Sequence, residues 1–418
     1  MNQARRGRAA TTLAATALLA ACGGASGIGA GSNRILVALN VPTSADPYVA
    51  QIIGRGAQLA VAEANQKGGV SIAGRRYRLE LRTYDDAGRP QQAAANVGAA
   101  IHDGAVAIVE DGIGATVSAP AGDAAGVPEI VIDNGDTGLM DPQSRPSLFR
   151  LGVANDAAAS VLSMYLAGKT KSVAVLHDDS ASGRDGGDQV KEALATGGAT
   201  ANPVIEVSAA SPTIDTQIQQ IAGSGAGAIV VWGSDTFTGR AVAAIRAAGV
   251  TTALFTGPAG ESPAVRTVAG ATATEGLRMV ASRMTSESDA SSFGQFEHRL
   301  AAAHLGPTDA GVKNAHGQEI RQPNDRDFFS YDAVNLIVAA LKKTGSARPG
   351  SALIKAVASV HVPSANGDTR GFNPQNHEGV SDDDTYIAVI HDMQFQPVKD
   401  EPLSASLPDE DQILSDFH

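Results

Sequence analysis

Two short polar turns, Glu110–Ala115 and Asp133–Thr137, carry groups suited to binding a small polar molecule. A helix that starts near Ala115 leaves free backbone amides at its N-terminus, which favour a carboxylate or another hydrogen-bond acceptor. Thr116 and Thr137 add hydroxyl groups, and glycines in the first turn let a ligand approach the backbone closely. The chemistry that these turns predict is non-covalent binding.

The elements around the turns place them together. Ala105–Val109 and Glu129–Ile132 are apolar and rich in β-branched residues, which is typical of strands buried on both faces. Thr116–Ala125, between them, is predicted to be a crossover helix. The carboxyl ends of parallel strands meet at one edge of a sheet, where the ligands of open α/β sheets bind. We therefore predict half of a ligand cleft here; the alternative is two ordinary connecting loops.

The sequence lacks the common catalytic motifs, since it has no Gly-x-Ser-x-Gly elbow, no phosphate-binding P-loop and no His-Glu-x-x-His. Gly112-Ile113-Gly114 opens like a dinucleotide-binding fingerprint, but Val117 stands where the third glycine should be and would crowd the phosphates. His177-Asp178-Asp179 has no second histidine cluster at ligand spacing. We predict that the protein is not an enzyme and holds no cofactor and no metal.

Composition narrows the class of protein further. The 418 residues are enough for two domains with full cores, and the hydrophobic fraction of 43% is that of a globular chain. The formal net charge is −12 and the chain has no basic runs. This balance argues against nucleic acid or an anionic membrane surface as the partner.

The N-terminus is typical of an export signal. Three arginines precede the apolar stretch Ala9–Ala21, which is too short to span a bilayer as a helix. The stretch ends in Leu-Ala-Ala followed by Cys22, the only cysteine, and this arrangement resembles a bacterial lipobox. We predict a signal peptide at 1–21, lipidation of Cys22, and a flexible tether over 22–33. The alternative is a lone structural cysteine after an ordinary signal.

Strands and helices alternate along the remaining chain, which predicts a doubly wound α/β fold. The predicted strands are Arg34–Asn40, Tyr77–Tyr84, Ala105–Val109, Glu129–Ile132, Ser172–His177, Val204–Val207, Ala228–Trp232, Ala253–Thr256 and Tyr386–His391. The predicted helices are Asp46–Lys67, a second from Pro90, Thr116–Ala125, Gly187–Leu194, Ile214–Ile221, Gly239–Ala248, Ser286–Leu305 and Phe328–Lys343. We expect a surface loop at 306–327 and a loose acidic tail at 399–418.

The order and spacing of several motifs resemble type I periplasmic binding proteins, in the branched-chain amino acid receptor group of ABC importers. These motifs are Gly56…Ala60…Glu63-Ala64-Asn65…Gly68-Gly69, Tyr84-Asp85-Asp86…Pro90…Ala93, and Gly114-Ala115-Thr116…Pro120…Ala125-Gly126-Val127-Pro128. The resemblance implies two doubly wound parallel-sheet lobes joined by a multi-strand hinge. Lobe one would comprise 34–152 and 257–366, and lobe two would comprise 153–256 and 367–398.

The resemblance also implies a binding site, with matches and departures. In the family resembled, donors of the two turns hold the ligand's carboxylate, and a threonine at the position of Thr137 also helps to hold its ammonium group. Thr137 matches this pattern. Ile113 stands where a hydroxyl residue is expected and offers only its backbone, and Ser182 stands where a lobe-two tyrosine is expected.

Two further positions depart. Ser234 stands near an expected aromatic residue, with Trp232 close by, either stacking on the ligand or packed in the core. Ala259 stands where an acid should pair with the ammonium group, and Glu261 lies two residues beyond. A buried ammonium group needs an anion, and the candidates are Asp111, Asp133, Asp136, Asp235 and Glu261. The alternatives are a neutral or differently charged ligand. The full predicted ligand-binding set is Asp111, Gly112, Ile113, Gly114, Ala115, Thr116, Asn134, Asp136, Thr137, Ser182, Trp232, Ser234, Asp235 and Glu261.

The resemblance implies an exported solute-binding lipoprotein that captures an amino acid, an amide or a related small molecule by hinge closure. Its partner would be an ABC permease in the cytoplasmic membrane. We expect a monomer, anchored through Cys22 to the outer face of that membrane or free in the periplasm. Two alternatives are a sensor that signals to a membrane partner without transport, and an enzyme with a Rossmann-like fold.

Overall fold

A computed structural model describes residues 33–288, 290–305, 312–320, 322–365, 369–380 and 384–398. The predicted signal peptide, Cys22, the tether up to residue 32 and the acidic tail at 399–418 lie outside the described residues. Within the described ranges, no helix combines the length and the apolar character needed to cross a bilayer.

Strands and helices alternate over most of the chain. The strands are β1 (Arg34–Val41), β2 (Val70–Ile72), β3 (Arg75–Asp85), β4 (Ala105–Glu110), β5 (Glu129–Val131), β6 (Leu148–Arg150), β7 (Ser172–Asp178), β8 (Thr200–Val207), β9 (Ala228–Trp232), β10 (Ala253–Thr256), β11 (Arg278–Ser282), β12 (His361–Pro363), β13 (Thr369–Gly371), β14 (Thr385–His391) and β15 (Gln394–Pro397). The helices are α1 (Pro47–Gln66), α2 (Pro90–His102), α3 (Ala115–Ala125), α4 (Asn155–Leu166), α5 (Ala181–Thr196), α6 (Asp215–Gly223), α7 (Asp235–Ala247), α8 (Pro263–Ala269), α9 (Ala271–Thr274), α10 (Arg283–Ser286), α11 (Ser291–Ala302), α12 (Asp325–Thr344) and α13 (Ser351–Val357).

The first sheet forms around β1, which is buried from Ile35 to Val41. Its strand order is β2-β3-β1-β4-β5-β6, and all of these strands are parallel except the short β2, which pairs antiparallel with β3. Helix α1 packs against α12, and α2 packs against α3. This sheet and its helices form lobe one.

The second sheet has the order β15-β14-β11-β10-β9-β7-β8. Strands β7 to β11 are parallel, and β14 and β15 are added antiparallel at one side. Val173 and Val175 of β7 face one hydrophobic cluster, while Ala174 and Leu176 face another, as expected for a sheet covered on both faces. The two helix-covered parallel sheets confirm the predicted fold class.

The chain segment that leaves lobe one after β6 lies beside the segment that precedes β14. Gly379 N donates to Arg150 O (2.8 Å), and the Arg150 guanidinium forms two hydrogen bonds with the Glu378 carboxylate (2.8 and 2.6 Å). The rings of Phe149 and His377 stack with centroids 4.0 Å apart. These paired segments form a multi-strand connection between the lobes.

The structure corrects two predicted lobe boundaries. The predicted return to lobe one at Gly257-Pro258 is wrong, because β11 pairs with β10 and β14 in the second sheet and keeps residues 257–282 in lobe two. Pro258 instead begins a short 3-10 helix. A proline after a strand is compatible with the start of a helix as well as with a segment that crosses between lobes. The predicted re-entry into lobe two at residue 367 is also displaced, because β13 pairs with β12 outside the second sheet.

The predicted surface loop at 306–327 is only partly correct for the residues described there: Lys313 and residues 315–319 are exposed and outside helices and strands, but both flanking stretches are buried. Val312 and Ile320 are buried in a cluster with Met393, and α12 begins at Asp325, ahead of the predicted Phe328. Asn324 and Asp327 form a reciprocal capping box, so these polar residues are buried to close the helix N-terminus. Residues 306–311 and 321 lie outside the described part.

Candidate functional site

A cavity of about 260 Å³ lies where the carboxyl ends of strands from both sheets come together. Lobe one contributes the turns after β4 and β5 and the start of α12, and lobe two contributes the turns after β7, β9 and β10. Seven residues of the predicted set line this cavity, namely Asp111, Ile113, Asn134, Ser182, Trp232, Ser234 and Asp235. The others lie elsewhere.

The two lobe-one turns are tied to each other by hydrogen bonds. Asn134 N donates to Asp111 O (2.8 Å), and Asn134 Nδ2 donates to Gly112 O (3.1 Å). Gly112 has a φ of +97°, and a Cβ at this position would come within 2.4 Å of Val131 Cγ1, so the turn requires glycine. The turns lie side by side, as the strand–helix–strand pattern predicts.

Asp111 is the acid on the lobe-one wall, with 8% of its surface exposed. Its Oδ1 accepts a hydrogen bond from Ile113 N (3.0 Å), which is the backbone donor predicted for the ligand. Burial raises the pKa of the Asp111 carboxyl well above its usual value, and the neighbouring carboxylate of Asp86 raises it further. The backbone amide predicted to bind the ligand is therefore already bonded to a carboxyl group of the protein.

The lobe-two turns are held by the fully buried carboxylate of Asp178. This carboxylate accepts hydrogen bonds from Ser180 N (3.2 Å) and Ser180 Oγ (2.5 Å), and Ser180 also caps α5. It accepts two more from Ser234 N (2.8 Å) and Ser234 Oγ (2.9 Å). The Ser234 hydroxyl, which the sequence analysis predicted to contact the ligand, thus holds the wall of the cavity in place.

Trp232 lines the cavity while belonging to the hydrophobic core, with 4% of its surface exposed. Its ring is packed between two glycines, since a Cβ at Gly186 or at Gly257 would overlap it. The position of the ring is consequently fixed, and the ring presents a rigid apolar wall.

Arg326, which the sequence analysis missed, crosses the cavity from the start of α12. Its Nε donates to Asp133 Oδ1 (2.5 Å) of lobe one, and its two Nη atoms donate to the Asp235 carboxylate (3.3 and 3.2 Å) of lobe two. Burial raises the pKa of Asp235 to about 6, although the positive charge of Arg326 lowers it in part. The ion pair joins the two lobes.

A second connection between the lobes involves residues predicted to hold the ligand. Thr137 N and Thr137 Oγ1 both donate to Asp185 Oδ2 of α5 (2.9 and 3.2 Å), and Asn155 Nδ2 donates to the same oxygen (2.8 Å). Ser182 hydrogen-bonds the carboxylate of Asp136, whose pKa burial raises. Thr137 and Asp136 therefore contact lobe two, outside the cavity lining.

Glu261 also lies away from the cavity. Only 3% of its surface is exposed, its Oε2 accepts from Asp325 N (3.0 Å), and burial raises its pKa well above the usual value, as does the charge of Asp325.

In the first turn, Gly114 packs against Ala93, Ala115 is buried in a core cluster, and Thr116 is exposed on α3. Among the residues that the structure describes, no three His, Cys, Asp or Glu side chains are arranged to hold a metal ion.

Comparisons with known proteins agree with this geometry. A family model described as periplasmic binding protein matches residues 38–400. The Leu/Ile/Val-binding protein BraC3 of Rhizobium johnstonii is 32% identical over 158 residues, a match that spans 35% of this chain and 40% of that relative's length.

Two solved structures share the fold. The branched-chain amino acid transporter substrate-binding protein LivJ of Streptococcus pneumoniae, in complex with isoleucine, has a TM-score of 0.73 at 18% identity, over 87% of this chain and 97% of its own. A solute-binding protein of an ABC transporter from Rhodopseudomonas palustris, in complex with 3,4-dihydroxybenzoic acid, has a TM-score of 0.70 at 21% identity, over 87% of this chain and 95% of its own.

Proposed function

The chain belongs to the periplasmic binding protein family, and on this premise we propose that it captures a small polar ligand between its lobes for an ABC permease. The family is one of solute-binding proteins rather than enzymes. The observation that carries the proposal is the cavity, which takes its lining from the strand ends of both lobes. A ligand that contacts both walls stabilises the closed arrangement of the lobes.

The ligand class is part of this proposal. Relatives of this fold hold isoleucine in one structure and 3,4-dihydroxybenzoic acid in another, and a cavity of about 260 Å³ suits molecules of that size. We propose an amino acid, an amide or a related small molecule. The paired segments around Arg150 and Glu378 would serve as the hinge.

Ligand binding is expected to raise the melting temperature of the protein lacking residues 1–22. A compound held at 100 times its dissociation constant adds about 2.7 kcal/mol to the free energy of unfolding. The measurement is a thermal-shift screen of amino acids, amides, amines, aromatic acids, nucleosides and sugars. An Ile113→Trp substitution should fill the cavity and abolish the shift.

Val117→Trp is the matched control for that screen. Ile113 and Val117 are both partly exposed apolar residues (38% and 54%), but only Ile113 lines the cavity. The control should therefore keep the ligand-induced shift. A screen in which no compound changes the melting temperature would contradict the proposed function.

We further propose that the protein is exported and anchored through Cys22, which follows the apolar stretch Ala9–Ala21. Cys22→Ser is expected to move the protein from the membrane fraction to the soluble fraction, because the variant lacks the thiol on which the proposed lipid anchor depends. The measurement is fractionation of cells that express each form. Ser26→Ala, in the same segment, should leave the protein membrane-bound, and a membrane-bound Cys22→Ser form would count against lipidation.

A further inference from the structure

The acids of the lobe-one wall disfavour a ligand carboxylate at the first turn of the cavity. The backbone donor of the first turn, Ile113 N, is already bonded to Asp111 Oδ1 (3.0 Å). A second carboxylate at this turn would face Asp111 and Asp133, which both line the cavity. Like charges at such short range oppose binding. A further anion is therefore disfavoured at this turn.

The charges of the cavity are also unbalanced. Among the described residues that line it, the acids are Asp111, Asp133 and Asp235, and Arg326 is the one cation. The guanidinium of Arg326 is engaged by Asp133 and Asp235. Asp111 is left without a cationic partner, and no described residue donates a hydrogen bond to its Oδ2.

Further buried acids behind the lobe-one wall add to the excess of acidic groups around the cavity. Asp86 and Glu110 are fully buried, and the charges of Asp86, Glu110 and Asp133 all raise the pKa of Asp111, in addition to burial. Within the part of the chain that the structure describes, one oxygen of Asp86 and one of Glu110 have no hydrogen-bond partner. Several acids crowded around one buried carboxyl are stabilised when a positive charge enters beside them.

We propose that the ligand is a small amine without a free carboxylate, whose ammonium group contacts Asp111. This inference rests on the proposed function and narrows the ligand class of the same cavity: amines and amino amides remain, and free amino acids are set aside. Trp232 and Ile113 line the cavity beside the acid and provide apolar surface for the body of the amine. The entering ammonium group shifts Asp111 toward its ionised form, so that a proton is released to solvent on binding.

The test is isothermal titration calorimetry of the full chain, purified in detergent, with matched pairs of compounds. The pairs are benzylamine and benzoate, 3-methylbutylamine and 3-methylbutyrate, and leucinamide and leucine. We expect the first member of each pair to bind about tenfold or more tightly than the second. The two amines gain a charge-assisted hydrogen bond that the acids lack, and leucinamide lacks the carboxylate that leucine would bring beside the acids of the wall. Buffers of different ionisation enthalpy should reveal proton release with the amines.

Two variants test whether Asp111 binds the ammonium group of the ligand. Asp111→Asn keeps the acceptor for Ile113 N, and we expect it to weaken amine binding by about tenfold or more and to abolish proton release. Asp188→Asn, an equal charge change on an exposed part of α5, should leave both unchanged. Tighter binding of the carboxylates, or amine binding that Asp111→Asn does not alter, would overturn the inference while solute binding still stood. If no compound in the broader thermal screen changes the melting temperature, both this inference and the proposed function are contradicted.

Discussion

Replacing Arg55 by methionine is expected to lower the free energy of unfolding by about 3–5 kcal/mol, because Asp327 is left as an unpaired buried carboxylate. Arg55 Nε and Nη2 donate to the two oxygens of Asp327 (2.7 and 2.8 Å), and their side chains are 2% and 0% exposed. Burial raises the pKa of Asp327, and the positive charge of Arg55 lowers it in part. Urea unfolding at pH 7 measures the loss.

Arg34→Met is the matched control for this change. Arg34 also pairs with an acid, Glu80, but its side chain is 72% exposed, and such pairs contribute about 0–1 kcal/mol. The double variant Arg55→Met with Asp327→Asn should recover part of the lost stability, because no buried charge remains. A loss below about 1 kcal/mol for Arg55→Met would show that the pair behaves like a surface pair.

The same substitution is expected to affect the cavity. Asp327 belongs to the capping box at the start of α12, and Arg326 lies next to it in that first turn. A Cβ at Gly56 of α1 would lie only 2.0 Å from Asp327 O, so α1 and α12 are in very close contact here. The position of Arg326 in the cavity therefore depends on packing in the interior of lobe one.

The second large expected effect is a loss of stability with rising pH, caused by Glu129. Burial raises the pKa of this carboxyl from 4.5 to about 7. A carboxyl with a raised pKa binds its proton more tightly in the folded protein, so its contribution is complete below about pH 4.5 and is lost as the pH rises through 7. The change is about 1.4 kcal/mol per pH unit across this window.

Glu129→Gln tests this effect, since it keeps an acceptor for Ser118 Oγ (2.5 Å) and removes the charge. We expect the variant to be more stable than the parent by about 1–3 kcal/mol at pH 8, and the advantage to disappear at pH 5. The difference between the two proteins in urea unfolding cancels the titration of groups that do not interact with Glu129, while Glu110, whose pKa the charge of Glu129 raises, contributes to the same pH dependence. Glu80→Gln, on the more exposed strand β3, is the control, and a pH-independent difference for Glu129→Gln would contradict the assignment.

The sequence determined the features that depend on neighbouring residues. The apolar runs at Ala105–Val109 and Glu129–Ile132, with a helix between them, suffice to place Asp111 beside Asn134, because a parallel strand–helix–strand unit has one geometry. The alternation of strands and helices likewise predicted the doubly wound α/β fold, and the family resemblance added its division into two sheets. Helix α4 was not predicted, and neither was β11, whose omission led to the wrong lobe boundary at Gly257-Pro258.

Only the tertiary structure decided which side chains meet in the cavity. Arg326 and Asp133 are 193 positions apart in the chain, and no local pattern relates them. The polar run Asn324–Asp327 has the composition of a surface loop, yet it is buried because it caps a helix that packs on α1. Thr137 looks like a ligand donor in its own turn, but Asp185 of the other lobe accepts its hydrogen bonds. Contacts between lobes depend on the packing of whole elements, and the sequence of one turn contains no information about them.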